Sequence, residues 1–466
     1  VGVVALIPRD CDRLSHFWHA SNLCSGQARN LCGVVALQNR RANRGDGMKT
    51  TTRIGLALAA AVLLGQGGWA RAAQTFSPQE VQRGAYLAKA GDCIACHTAP
   101  GGKPFAGGLK MIMPIGAIYS SNITPDKTHG IGNYTFEEFD RAVRHGVAPG
   151  GKYLYPAMPY PSYVRITPQD MRALYAYFMQ GVPAEAVPNR KPDMVWPLTI
   201  RWPLAIWNWL FVRDTTFTPN PKQSAQWNRG AYLVEGLGHC GACHTPRGLF
   251  FQEKALSANG PNGALYLTGG TVEHWYASNL RSECLQKTLS AEDFALLLQT
   301  GSAKNYTVAG GMTEVIHHST QHLKREDLLA IGVYLKSLPP EASAQLASTK
   351  PDPAAVERGK ALYAQHCVAC HQPSGQGVPA AFPSLVGNPS VRCLNPTNAI
   401  HAILAGATTP VTASAPAPMV MPPFGAQLND QQIADLVTFI RANWGNDAEP
   451  VSAEQVRELR RAIAQH

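Results

Sequence analysis

The 466-residue sequence contains none of the short signatures that mark the commonest catalytic centres. It has no Gly-x-Gly-x-x-Gly to hold a dinucleotide, no Gly-x-Ser-x-Gly nucleophile elbow and no His-Glu-x-x-His metal helix. Nor does it contain a membrane span: the apolar or small run Ile54–Leu64 is about half the roughly 20 residues a crossing helix needs. Cysteine is scarce too: only eight follow residue 73, and six of these fall into one repeated pattern.

That pattern is Cys-x-x-Cys-His, at Cys93-Ile94-Ala95-Cys96-His97, Cys240-Gly241-Ala242-Cys243-His244 and Cys367-Val368-Ala369-Cys370-His371. On one helical turn two thiols three residues apart share a face, placed for thioethers to the vinyl groups of a haem, and the next imidazole faces the iron. A zinc half-site would need further Cys or His pairs, and a redox dithiol would not need His in the same place three times. The motifs therefore imply three covalent haem c groups, held by Cys93, Cys96, Cys240, Cys243, Cys367 and Cys370, with His97, His244 and His371 as proximal ligands.

A thioether as the sixth ligand stabilises ferrous iron and suits electron transfer. Met158, in the Pro-rich loop Leu154–Tyr160, is the expected distal ligand of the first haem. Met312, after Gly310-Gly311, is favoured for the second over His317, His318 and His322. Met421, in Met421-Pro422-Pro423, is preferred to Met419 for the third. With both axial positions filled, each iron would carry electrons and offer no open position to a substrate, so no catalytic residue and no substrate-oxidising centre are expected.

The repeats extend beyond the motifs. Arg83-Gly84-Ala85-Tyr86-Leu87, Arg229-Gly230-Ala231-Tyr232-Leu233 and Arg358-Gly359-Lys360-Ala361-Leu362 precede them as amphipathic opening helices. Closing helices follow, with stripes Met171, Leu174, Phe178; Leu328, Ile331, Leu335; and Ile433, Leu436, Ile440, each beside an aromatic (Tyr177, Tyr334, Phe439). The expected fold is all-α: three tandem cytochrome c-like domains over 74–182, 223–340 and 357–446, each wrapping one haem. Residues 183–222 read as a Pro/Trp-rich linker and possible membrane-surface segment, 341–356 as a second linker, and 447–466 as a tail helix starting at a Ser452/Gln455 capping box.

The N-terminal region reads differently. Met48 to Arg53 is a basic start, Ile54–Leu64 an apolar core and Ala70-Arg71-Ala72 a cleavage site, so 48–73 is expected to be a secretory signal peptide and 1–47 an over-extended gene start. The formal charge is +10, but 1–47 carry six Arg against Asp10, Asp12 and Asp46, and 48–73 carry Lys49, Arg53 and Arg71, which leaves +4 for the rest. Haem propionates would bring that near neutrality, so the charge is no argument for nucleic acid. Export permits disulfides, and Cys284 and Cys393 either pair across modules two and three or remain buried thiols.

The three-haem order, Gly91-Asp92-Cys93, Ile118-Tyr119-Ser120-Ser121-Asn122-Ile123-Thr124-Pro125-Asp126-Lys127, the Met158 loop, Gly238-His239-Cys240, His244-Thr245-Pro246-Arg247 and Trp444-Gly445-Asn446 resemble the cytochrome c subunits of bacterial membrane-bound dehydrogenases. The resemblance covers residues 75–446. It implies a separate catalytic dehydrogenase subunit, a small third subunit in some complexes, and electron flow to ubiquinone on the periplasmic side of the inner membrane. Trp196-Pro197-Leu198-Thr199-Ile200-Arg201-Trp202 through Trp207 is most similar to the gluconate 2-dehydrogenase type, which is flavin-dependent. Quinoprotein alcohol and molybdenum aldehyde dehydrogenase subunits are the alternatives within the resemblance. A free-standing periplasmic shuttle, or a cytochrome feeding a terminal oxidase, would be functions of another kind.

Overall fold

Three pairs of crossing helices make the framework. The computed structural model describes residues 75–465 except 114–115, 342–348, 380 and 394; the expected extension (1–47) and signal peptide (48–73) lie outside the described residues. The opening helices are Pro78–Ala90, Ala225–Tyr232 and Pro353–His366, and the closing helices are Pro168–Ala176, Arg325–Ser337 and Asp430–Ala442. Their ends are chemically marked. Ser77 and Glu80 form a reciprocal capping box with Pro78 in the first turn, Asn429 and Gln432 form another, and Ser224, Thr167 and Asp352 cap with their side chains.

Within each pair the helices approach so closely that only glycine fits. A Cβ on Gly84 would lie 1.9 Å from the Ala173 carbonyl oxygen, one on Gly230 2.0 Å from Ala330 O, and one on Gly359 2.1 Å from Asp435 O. The arginine before each glycine then reaches a largely buried aspartate on the closing helix. Arg83 Nε donates to Asp170 at 2.6 Å, Arg229 binds Asp327 bidentately at 2.8 and 2.7 Å, and Arg358 Nε donates to Asp435 at 2.6 Å. All nine apolar stripe residues of the closing helices are buried.

The apolar interior falls into two clusters. Leu87, Met171 and Phe178 share one core with Leu233, Leu328 and Leu335, so the first two helix pairs pack as a continuous unit. The third pair has its own core around Tyr363, Ile433 and Leu436, closed by Val456 of the tail helix Ala453–Ala464. Ser452 and Gln455 cap that helix reciprocally.

The all-α expectation needs correction. A three-stranded antiparallel sheet joins Lys110–Met113, Gly116–Tyr119 and Asp193–Met194. Four further two-stranded ladders are present among the described residues, three of them in a repeated position. The helices Phe136–His145, Ala291–Thr300 and Thr397–Ala405 each end at a glycine of positive φ: Gly146, Gly301 and Gly406. A short antiparallel hairpin follows in every case, pairing Val147–Ala148 with Lys152–Tyr153, Ser302–Ala303 with Tyr306–Thr307, and Ala407–Thr408 with Val420–Met421. Strands of two to four residues are too short to give a readable alternation, which is why sequence periodicity passes over them.

Residues 183–222 are not plain linker either. Met194 pairs with Gly116, and Leu204–Phe211 form a helix whose Asn208 faces inward, donating to His145 O at 2.7 Å and accepting from Tyr160 OH at 2.8 Å. No helix among the described residues is long and apolar enough to cross a membrane.

Modules two and three are tied covalently. Cys284 and Cys393 form a disulfide, with Cα atoms 5.8 Å apart and 109 residues between them in sequence. Beside it the Asn398 amide brackets Tyr276, accepting from its N–H and donating to its carbonyl at 2.9 Å each. Peptide mapping without reduction should recover one linked peptide containing both cysteines; two free thiols would refute the bridge. Replacing both by Ser should cost about 2–5 kcal/mol of stability.

Candidate haem-binding sites

Each Cys-x-x-Cys-His motif forms a single helical turn, over Cys93–Cys96, Gly241–His244 and Val368–His371. The three motif histidines make the same contact by different routes. His97 Nδ1 lies 2.7 Å from Ser121 O, His244 Nδ1 2.8 Å from Ser278 O, and His371 Nδ1 3.0 Å from Pro383 O. A carbonyl can only accept, so Nδ1 carries the proton and Nε2 keeps a free lone pair, as an iron ligand requires. Burial pushes all three imidazoles below their ordinary pKa, with the carbonyl contact opposing, and this favours the neutral ring.

The thiols do not fit a redox dithiol. Burial, aided by neighbouring acidic groups, holds Cys93 and Cys240 up at about 12 and Cys367 at about 11. A reactive dithiol needs the opposite shift. Among the described residues no group of three or more His, Cys, Asp or Glu side chains is placed to hold a metal ion, so a zinc reading gains no additional ligands from the fold. Two thiols and an imidazole oriented through Nδ1 are a donor set that fits haem c.

The methionines follow the repeated hairpins. Met158 stands five residues after the second strand of its hairpin, which ends at Tyr153, and Met312 five after Thr307. Both are half-buried against the shared core. Met421 lies on its hairpin's second strand and packs against the third module's core, and Val420 between it and Met419 points to solvent. Of the imidazoles weighed against Met312, His318 Nε2 pairs with Glu314 at 3.2 Å and His322 Nε2 faces His317 O at 3.1 Å, whereas His317 faces Val411 O through Nδ1 at 2.9 Å, the same contact that the three motif histidines make.

Motifs one and two meet directly. The Gly91 carbonyl, two residues before Cys93, accepts from Tyr163 OH at 3.0 Å and lies 3.4 Å from His239 Nε2, on the residue before Cys240. The rings of Tyr163 and His239 are edge-on, 5.7 Å apart. A reciprocal exchange holds the two helix pairs in this arrangement. Tyr86 of the first opening helix donates to Asp327 of the second closing helix at 2.5 Å, and Tyr232 of the second opening helix donates to Asp170 of the first closing helix at 2.7 Å. Each aspartate thus serves its own arginine and the other module's tyrosine. The third module has Ala361 where the others have tyrosine, and takes no part.

Sequence reasoning missed these partners. The carbonyls of Ser121, Ser278 and Pro383 stand 24, 34 and 12 residues after their histidines, so no fixed spacing marks them. One signal was available: Ser121-Asn122-Ile123 and Ser278-Asn279-Leu280 are a local repeat. Each asparagine Oδ1 accepts the backbone N–H two residues on, from Thr124 or Arg281, which shapes the turn that presents the serine carbonyl.

Comparison with known proteins agrees with this geometry. The family model described as cytochrome c matches residues 81–181 and 356–444. The chain is 48% identical over 394 residues to the gluconate 2-dehydrogenase cytochrome c subunit of Pantoea cypripedii, covering 82% of this chain and 89% of that protein. It is also 48% identical to the cytochrome c subunit of the quinone alcohol dehydrogenase of Gluconacetobacter polyoxogenes, covering 82% and 84%. The fructose dehydrogenase cytochrome subunit of Gluconobacter japonicus is 38% identical, with 82% of each chain covered.

Asp327 offers a pH test of the exchange. Burial raises its pKa, but Arg229 and Tyr86 more than offset this, so the folded carboxyl titrates below its ordinary 3.8. A lowered folded pKa gives stability that is present above 3.8 and lost as pH falls through the folded value. Asp327→Asn should therefore cost about 1–3 kcal/mol at neutral pH, and the deficit against wild type should shrink toward pH 3. Thermal unfolding at a series of pH values measures it; a deficit independent of pH would exclude the carboxylate as its source.

Proposed function

The chain belongs to the family of dehydrogenase cytochrome c subunits, and from that premise we propose that it carries three haems and passes electrons from a separate catalytic dehydrogenase subunit to ubiquinone at the periplasmic face of the bacterial inner membrane. The carrying observation is the threefold recurrence of one donor set: two thiols and an imidazole anchored through Nδ1 on one turn, followed by a glycine-ended helix and a hairpin, with a methionine just after the hairpin in modules one and two and on its second strand in module three. Bound haem supplies one-electron redox chemistry at its iron. Around it Cys93/Cys96, Cys240/Cys243 and Cys367/Cys370 would anchor the three groups, His97, His244 and His371 would hold the proximal side, and Met158, Met312 and Met421 the distal side. In this reading the domains keep the boundaries 74–182, 223–340 and 357–446, with the first two fused through their shared core.

The partner is a flavin-dependent dehydrogenase of the gluconate type, a reading supported by the similarity to the Pantoea cypripedii subunit and by the Trp196–Trp207 stretch. A quinone-dependent alcohol dehydrogenase is the second reading, favoured by the equal identity to the Gluconacetobacter subunit. A small third subunit completes the complex, and the chain lies at the membrane surface, a reading that the Trp-rich stretch supports.

Pyridine haemochrome analysis of the mature chain should return three haems, none extractable by acid acetone; one or two would sink the proposal. Leu substitution at Met158, Met312 or Met421 should each lower one midpoint potential and open one iron to carbon monoxide. If the Met419→Leu protein binds carbon monoxide and the Met421→Leu protein does not, the third assignment is wrong.

A further inference from the structure

We propose that residues 195–211 and the separate loop Leu249-Phe250-Phe251 form one face that seats on an anionic lipid surface. The proposal rests on the membrane-associated function above and gives it a second segment, which sequence reasoning did not find. The two segments are in contact: Trp207 Nε1–H donates to Phe250 O at 3.0 Å, and the rings of Phe211 and Phe250 are 6.2 Å apart.

The face is an inverted amphipath. On the helix Leu204–Phe211 the polar side chain, Asn208, is turned into the protein, and the outward positions are apolar. Trp209 is 80% exposed and Trp196, ahead of the helix, also 80%, while Leu249 at the tip of the second segment is 94% exposed. Leaving such side chains in water forfeits the usual gain of burying large apolar residues. A fluid acyl boundary would cover such a set of exposed side chains without a shaped partner surface. Trp side chains prefer that boundary, where an apolar ring and an N–H are both satisfied.

The protruding loop is held firmly. Arg247 donates to Phe251 O and also to Ala242 O within the second haem motif, so the tip is braced on Cys240–His244. The tryptophan segment is braced on the other haem-bearing region: Arg201 donates to Tyr153 O at 2.8 Å and stacks on Tyr155, and Tyr155 OH donates to Leu198 O. Insertion would therefore anchor the joined modules one and two through their haem-side loops.

Charge selects the lipid. Arg201 is the only charged residue in 195–212 and Arg247 the only one in 245–252. At the margins Arg190, Lys191, Arg213 and Lys254 are exposed and outnumber Asp193 and Asp214, while Glu253 turns a carboxylate oxygen inward. A cationic rim around an apolar centre fits phosphatidylglycerol-type headgroups.

The test uses the haem-loaded full chain and vesicles of phosphatidylglycerol mixed with phosphatidylcholine, or of phosphatidylcholine alone. Wild type should sediment with the anionic vesicles and much less with the neutral ones. Leu249→Ser with Phe250→Ser, and separately Trp196→Ser with Trp209→Ser, should each weaken partitioning by about tenfold or more. Haem spectra, and reduction of a soluble dye by the chain in complex with its catalytic subunit and that subunit's substrate, should stay unchanged, which checks folding and keeps the electron-transfer reading separate. A spin label on Leu249→Cys should become accessible to oxygen and shielded from a nickel chelate when anionic vesicles are added. Partitioning unchanged in both variants, or a label that stays aqueous, overturns the proposal. Variants that lose the catalytic subunit yet bind vesicles as before assign the face to that protein, and equal binding to neutral vesicles overturns the choice of anionic lipid. Loss of dye reduction in wild type would count against the proposed function without touching the vesicle result.

Discussion

The close crossing of opening and closing helices at Gly84, Gly230 and Gly359 is the constraint on which the remaining architecture depends. Because backbone meets backbone there, with room for no Cβ, the preceding arginine is brought over the closing helix and finds a buried aspartate. Each arginine stays partly in water while its aspartate is largely buried, so the pair enforces the crossing geometry mainly because losing the arginine would leave the carboxylate unpaired. The motif turn follows the opening helix within one helical turn in modules one and three, and in module two after the intervening turn Leu233–Leu237, so the crossing also bears on where the two thiols and the imidazole stand.

From that geometry follows the difference between the joined modules and the third. Asp170 gives its second oxygen to Tyr232 and Asp327 shares one oxygen between Arg229 and Tyr86, which gives a pseudo-twofold clasp over a common apolar core. The clasp brings Gly91 and His239, which precede the first two Cys-x-x-Cys-His turns, into direct contact. Module three instead docks by its surface: a disulfide, the Asn398–Tyr276 bracket and the ring of Trp275 on His401 at 3.9 Å. An electron carrier gains from such rigidity, because fixed separations and buried, neutral ligands keep reorganisation small.

The sequence by itself determined the haem chemistry and the helical frame. Covalent attachment requires fixed residue types at fixed local spacing, and a helix of three or four turns writes its buried stripe in order along the chain, so the motifs, the Arg-Gly repeats and the nine stripe residues were legible. Local capping chemistry is equally linear, as at Ser452 and Gln455. Only the tertiary structure decided which carbonyls orient the histidines, that Tyr86 and Tyr232 exchange partners, that Cys284 meets Cys393, and that Leu249-Phe250-Phe251 adjoins the tryptophan helix. Those pairings join residues tens to hundreds of positions apart, and neither periodicity nor motif spacing carries information about contacts that arise only when separate elements fold onto one another.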